Sequence, residues 1–379
     1  MKKRATIIFL VLFHDTFAWS QDYWMKTTTP CDKELLLKTP GQWMKPGYGY
    51  HANVSKQQLQ EIEYRLRVIH QFVYNIYPSP ISFDAMWGYF TTDQNFASQI
   101  KIETIQDRFR NSFINGIPTI LYSYHVGFCA YHCGREPNEI MKGRGCETGT
   151  NFSVVMNSLE GFFSRLLIDD DYMEVMRIDG RPIRMMPVFK GKWKEYDFYS
   201  PESGSGLNMV LLHREGMLPY IPVTRKQYLD RSTEWLEQFF DKGLKSVENP
   251  EGLAVLMDKK EKDEQAKKYK KLRDDVLKYY RDELDATTKA GLLDSPAVIF
   301  GGMAQILTQY PIFITQADGG RLLVTENPAY IKKDLPKYIP QIIVYTMWNA
   351  KDGPDPALNP YHLYYRDFPI EKLQAMIDK

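Results

Sequence analysis

Between Glu174 and Val223 the chain runs through a succession of short β-forming segments joined by very short connections. "EVMRIDGRPIRMMPVF" sets Asp179-Gly180 between two such segments, a residue pair suited to the positive φ angles of a two-residue hairpin turn. "KWKEYDFY", "LNMVLLH" and "MLPYIPV" follow, separated by the turn-forming "SPESGSG" and "REG". A parallel crossover consumes a dozen or more residues, so these connections predict an antiparallel meander of about five strands. Helical patterns lie on both sides of it, and the fold class expected is α+β, with helices packed on antiparallel sheet.

The helices are read from period and caps. Ser55 with Gln58 forms a capping box ahead of Leu59, Ile62, Leu66, Ile69, Val73 and Ile76, which recur at three-and-four spacing, and Pro78 ends the run. One buried face against a sheet explains that spacing. A helix is expected around Ile105 to Phe113, and another from Ser153 to Leu167 with Val155, Leu159, Phe162, Phe163 and Leu166 as its apolar side. Thr224 caps a helical stretch to about Leu244. After "NPEG" at 249–252 comes a long charged helix near residues 253–287, apolar at Tyr269, Leu272, Val276, Tyr279, Tyr280 and Leu284. Its segment Lys259 to Arg273 holds eight basic and three acidic residues, and reads as a solvated face laced with i,i+4 charge pairs. "YPIFITQADGGRLLVTE" is expected to form a hairpin around Asp318-Gly319-Gly320, "QIIVYTMW" and "HLYYRDF" two further strands, and Ile370 to open a short closing helix.

The chain begins "MKKRATIIFLVLFHDTFAWSQ": a basic start, an apolar run from Ala5 to Phe13, and small residues near Ser20. That order is the pattern of an export signal, and its apolar core is far shorter than the roughly 20 residues of a spanning helix. The expected organisation is therefore a signal peptide at 1–20, an irregular lead-in at 21–54, a helix-plus-sheet region at 55–223, and a helical region with C-terminal strands at 224–379, the last two forming one continuous domain if the long helix covers the meander. Export leads to the periplasm or the cell exterior, with no membrane span. A formal net charge of +1 supplies no global field for nucleic acid.

Export also bears on "CAYHCGREPNEIMKGRGC", which holds three of the four cysteines. An even count in an oxidising compartment points to disulfides among Cys31, Cys129, Cys133 and Cys146. "ILYSYHVGFCAY" alternates as a strand; if it stays extended, the Cα atoms of Cys129 and Cys133 lie roughly 13 Å apart, too far to bridge. Cys133–Cys146 is then the natural local pair, with Cys31 reaching Cys129. Zinc held by His125, Cys129, His132, Cys133 and Cys146 is the rival, but C-x3-C followed by a lone cysteine departs from paired knuckles. A third reading makes His125 the base for a Cys129 thiolate, since a strand puts both on one face.

Motifs for nucleotide loops, H-E-x-x-H zinc sites and EF-hands are missing from the sequence, and no cofactor or metal is expected. "ESGSG" around Ser205 lacks the first glycine of a nucleophile elbow and sits in a turn. "IDDDYMEVMRID" gathers Asp169, Asp170 and Asp171 with Glu174 and Asp179; such a group serves as a solvated turn, a calcium site or an acid–base pair. "GMLPYIPVTRKQYL" and "NPAYIKKDLPKYIPQIIVYTMW" resemble segments of uncharacterised exported bacterial proteins over about residues 185 to 350. The resemblance implies a strand running directly into a helix at Val223-Thr224-Arg225, and no activity. With 25 tyrosines and seven tryptophans to draw on, the function expected is non-catalytic binding of a ligand or an envelope or extracellular partner through aromatic surface. The alternative is a hydrolase whose groups converge only in the fold, with His125 or Asp169 to Asp171 as first candidates.

Overall fold

The computed structural model describes residues 33–45, 50–52, 54–93, 119–133, 139–141, 150–159, 162–163, 176–201, 206–248, 258–300, 311–348 and 360–379. Helices and largely antiparallel sheets share them, an α+β fold. The centre is an eight-stranded sheet in the spatial order Tyr50–Ala52, Phe83–Asp93, Ile120–Ala130, Asn151–Met156, Ile343–Trp348, Leu207–Leu212, Tyr196–Ser200 and Val188–Trp193. Every neighbour is antiparallel except the short first strand, which runs parallel to Phe90–Thr92. The strand from the C-terminal part of the chain thus lies in the middle of the sheet, between strands from its first and second halves.

One face of this sheet is closed by helix. Lys56–Ile76 starts at Ser55, whose side chain accepts from the Gln58 N–H while the Gln58 side chain accepts from the Ser55 N–H. It buries Ile62, Leu66, Ile69 and Val73 against Tyr122, Tyr124, Val126 and Phe128. Each such aliphatic side chain contributes roughly 2 kcal/mol by leaving water. Tyr361–Asp367 and Ile370–Gln374 complete this layer, with Phe368 stacked on Tyr345 at 4.4 Å between ring centroids.

The described residues cover the second face only in part. Leu159, Phe162, Met186, Val324, Tyr330 and Ile331 pack over Met209, Leu211 and Val344. Behind them stands a small sheet in which Arg321–Glu326 pairs with Tyr220–Pro222, Val298–Ile299 and Arg184–Met185. The helices Arg225–Glu248 and Lys259–Lys289 pack on its far side through Trp235, Leu236, Phe240, Val276, Leu277 and Tyr280. Tyr269 lies against Gly243, where any Cβ would collide with its ring. The strand Tyr220–Pro222 does lead directly into its helix, and Thr224 caps it by accepting from the Gln227 N–H. On the long helix, Lys271–Asp275 and Lys278–Asp282 pair across one turn. Among the described residues no helix is long and apolar enough to cross a membrane.

Four local expectations are corrected. The stretch from Ser153 begins as strand: Asn151–Met156 alternates, burying Phe152, Val154 and Met156. It ends where Asn157, at φ 60°, turns the chain, and Leu159, Phe162 and Phe163 serve the buried wall. "HLYYRDF" is helical over Tyr361–Asp367, because Tyr361, Tyr364 and Phe368 recur at helical spacing and all three are buried. The meander is divided. Arg177–Ile178 and Arg181–Pro182 form their own ribbon around Asp179-Gly180, at φ 50° and 78°, and only Val188–Trp193, Tyr196–Ser200 and Leu207–Leu212 run consecutively in the large sheet. Lastly, Arg321–Glu326 takes Val298–Ile299 as partner instead of the residues just before its turn. The helix expected around Ile105 to Phe113 lies outside the described residues.

Candidate functional site

Strand alternation splits Ile120–Ala130 into two sets. Tyr122, Tyr124, Val126 and Phe128 enter the helix-covered core, so Ser123, His125, Gly127 and Cys129 point to the other face. Register carries that face across the sheet. His125 lies opposite Gly88 on one side and Ser153 on the other, and Ser153 lies opposite Thr346. The next row holds Met86, Gly127, Asn151 and Trp348. No side chain in these two rows carries a formal charge.

The rows are open to solvent just where the covering wall stops. Ser123 is only 3% exposed, whereas His125 is solvent-accessible, Asn151, Ser153 and Thr346 are half-buried, and Met86 and Trp348 are 49% and 42% exposed. A Cβ added to Gly88 would meet nothing within 4 Å, so the surface beside His125 is clear. His125 Nε2 lies 2.7 Å from Ser123 Oγ, and Ser153 Oγ lies 2.6 Å from Thr346 Oγ1. Among the described residues, the Asn151 amide and the Trp348 indole N–H have no hydrogen-bond partner, and the Trp348 ring has no aromatic neighbour. Surrounding protein lowers the His125 pKa by desolvation, so the ring is neutral at pH 7 with one donor and one acceptor nitrogen.

This site needed tertiary structure to be found. His125 is legible as a strand residue, but Ser153 opens an expected helix and Asn151 lies just ahead of it. Trp348 looked like any strand aromatic. The signal that could have located them is the alternation in "NFSVVM", polar at Asn151 and Ser153 and apolar between them.

Cys129 shares the face with His125 but lies four residues along an extended strand, about 13 Å away between Cα atoms. Its sulfur is buried and disulfide-bonded, so it offers no thiolate. Opposite it, Asp84 Oδ1 accepts from the Tyr131 hydroxyl at 2.6 Å and from the Gln42 N–H at 3.2 Å. Cys133 lies in the short pairing of His132–Cys133 with Ile140–Met141. Cys31, Cys146, Asp169, Asp170 and Asp171 lie outside the described residues. Among the described residues no three His, Cys, Asp or Glu side chains are placed to hold a metal ion.

Two titratable groups away from this face escaped notice in the sequence. His70 is sandwiched among aromatics, stacked on Trp87 at 4.0 Å, with Nδ1 3.1 Å from the Tyr124 hydroxyl. Burial lowers its pKa, and its role is packing. Glu326, opposite Tyr220 in the small sheet, is 8% exposed, and its Oε1 is buried without a hydrogen-bond partner. Loss of solvent pushes its pKa up to about 8, against the pull of Arg184, Arg181 and Arg177.

Comparison of the chain with protein-family models, with curated proteins and with solved structures finds no match.

Proposed function

We propose that this is an exported, non-catalytic binding protein that takes an uncharged ligand onto the uncovered part of its eight-stranded sheet. The observation that carries the reading is the pair of charge-free register rows in which an Asn151 amide and a Trp348 indole stand solvent-accessible and, among the described residues, unpartnered. Unsatisfied donors and acceptors beside an exposed ring cost little in water and become favourable when a complementary molecule covers them. The site lies on rigid sheet, so binding does not require a loop to be ordered first.

One observation favours a second reading. The His125–Ser123 contact is a base–hydroxyl pair of the kind a hydrolase uses. Against it, Ser123 is 3% exposed, so its oxygen is out of reach of a bulky acyl group. A screen separates the two. Purified protein is titrated with neutral sugars, nucleosides and amides while the Trp348 indole N–H resonance is followed, and p-nitrophenyl esters are offered in parallel. Binding predicts a saturable shift at Trp348 with no shift at the buried Trp193 and no ester turnover. Turnover that disappears in His125→Ala would install the hydrolase instead, and a Trp348 signal indifferent to every compound would remove the binding reading.

A further inference from the structure

The patch narrows the ligand further. We infer that it is a carbohydrate, with one pyranose ring laid on the face of Trp348 and its hydroxyls met by Asn151, Ser153, Thr346 and His125. This rests on the binding reading above and adds the chemical class.

The hydrogen-bonding inventory decides between classes. Asn151 offers two N–H donors and a carbonyl acceptor, and the Ser153–Thr346 pair, having spent one proton between them, keeps one O–H to donate outward. His125 spends Nε2 on Ser123 and leaves Nδ1 without a partner. Each of these groups can meet a hydroxyl, which both donates and accepts. A phosphate or carboxylate ligand calls for Arg, Lys or a cluster of N–H donors, and an amine calls for Asp or Glu. Neither stands in the two rows. An entirely apolar ligand would leave the Asn151 amide and the outward hydroxyl desolvated and unpaired, at about 1–3 kcal/mol each.

Geometry agrees. Trp348 lies directly opposite Asn151, one register step from the Thr346–Ser153 pair, with His125 one strand beyond. Strands are about 4.8 Å apart and same-face residues about 7 Å apart along a strand, so Asn151, Thr346 and Ser153 stand about 5–9 Å from Trp348 between Cα atoms, on one side of the indole. His125 is about 12 Å off, within side-chain reach of a sugar seated between them. An exposed indole presents a flat apolar face beside a polar edge, matching a pyranose whose C–H groups lie on one side and hydroxyls around its rim. The wall over Val155 and Val344, which pair in the register row next to Ser153 and Thr346, borders the patch, so the sugar is met from beneath and along one edge.

The test uses the full chain and tetrasaccharides of glucose, mannose, galactose and N-acetylglucosamine, with adenosine and indole as ring-bearing probes that are not sugars. Saturation-transfer NMR and calorimetry are run on wild type, Trp348→Ala, Trp348→Phe and Asn151→Ala, each first shown to melt within a few degrees of wild type. The expected result is binding of at least one tetrasaccharide, weakened tenfold or more in Trp348→Ala, several-fold in Asn151→Ala, and largely kept in Trp348→Phe, which preserves a ring. Binding of adenosine or indole at Trp348 with every sugar inert would overturn the carbohydrate class and leave the binding reading standing. No contact of any probe with Trp348 would remove both. Sugar binding equal in wild type and Trp348→Ala would also overturn the proposal, because it would place the ligand elsewhere.

Discussion

Glu326 gives the sharpest quantitative expectation. A carboxyl group whose folded-state pKa is raised holds its proton more tightly in the native state than in the unfolded chain. Its contribution to stability is complete below the unfolded pKa, 4.5, and is lost as pH rises through the folded value of about 8. Each pKa unit is worth about 1.4 kcal/mol, so the span between the two values corresponds to a loss on the order of 4 kcal/mol. Low exposure supports using this figure with little discount for solvent screening, and the unpartnered Oε1 gives the ionised form no compensating hydrogen bond. Glu326→Gln keeps the shape and cannot ionise. Urea unfolding of both proteins at pH 4.5, 6 and 8 isolates the effect, because every other titrating group cancels in the difference. The variant should gain on wild type steadily across that range, ending several kcal/mol ahead of its relative position at pH 4.5. A difference that stays level within about 1 kcal/mol from pH 4.5 to 8 would refute the reasoning and show that Arg184, Arg181 and Arg177 offset the desolvation.

Near the C-terminus, Asp378 receives Arg214 Nε and Nη2 at 2.7 and 3.0 Å and Lys332 Nζ at 2.6 Å. These cations hold its pKa below the usual carboxylate range, led by the Arg214 hydrogen bond, so its contribution is present above about pH 4 and fades as pH falls through the lowered value. Asp378→Ala should cost about 2 kcal/mol in urea unfolding at pH 7 and distinctly less at pH 3. Phe368→Ala empties a fully buried position stacked on Tyr345 and should cost about 3–5 kcal/mol, read from thermal and urea melts; a loss below 1 kcal/mol would mean the C-terminal layer closes over the gap.

How much of this was legible beforehand depended on whether a signal was local. The Lys56–Ile76 helix carries its own cap, its own apolar stripe and its own stop, so its identity and its buried face follow from its residues. The Asp179-Gly180 turn is equally self-contained. "NFSVVM" and "HLYYRDF" are not. In the first, Val155 and Leu159 serve the buried wall on either side of the Asn157 turn, and so mimic a helical stripe. The second is rich in β-favouring aromatics whose helical spacing shows only when all three buried rings are counted together. Pairing was harder still: Arg321–Glu326 takes partners from three distant segments, and nothing within it names them. For the site, His125 could be placed on a strand face, but the residues beside it come from two other strands.

Taken alone, the amino-acid order determined the class of fold, the helices with complete caps and the Asp179-Gly180 turn. Each of these is settled by interactions within a dozen residues. Which face of the large sheet stays open, and that Asn151, Ser153, Thr346 and Trp348 meet His125 there, was decided only by tertiary structure. Strand register joins segments nearly two hundred residues apart, and the side chains of Leu159, Phe162, Met186, Val324, Tyr330 and Ile331 form the cover that the described residues lay over that face.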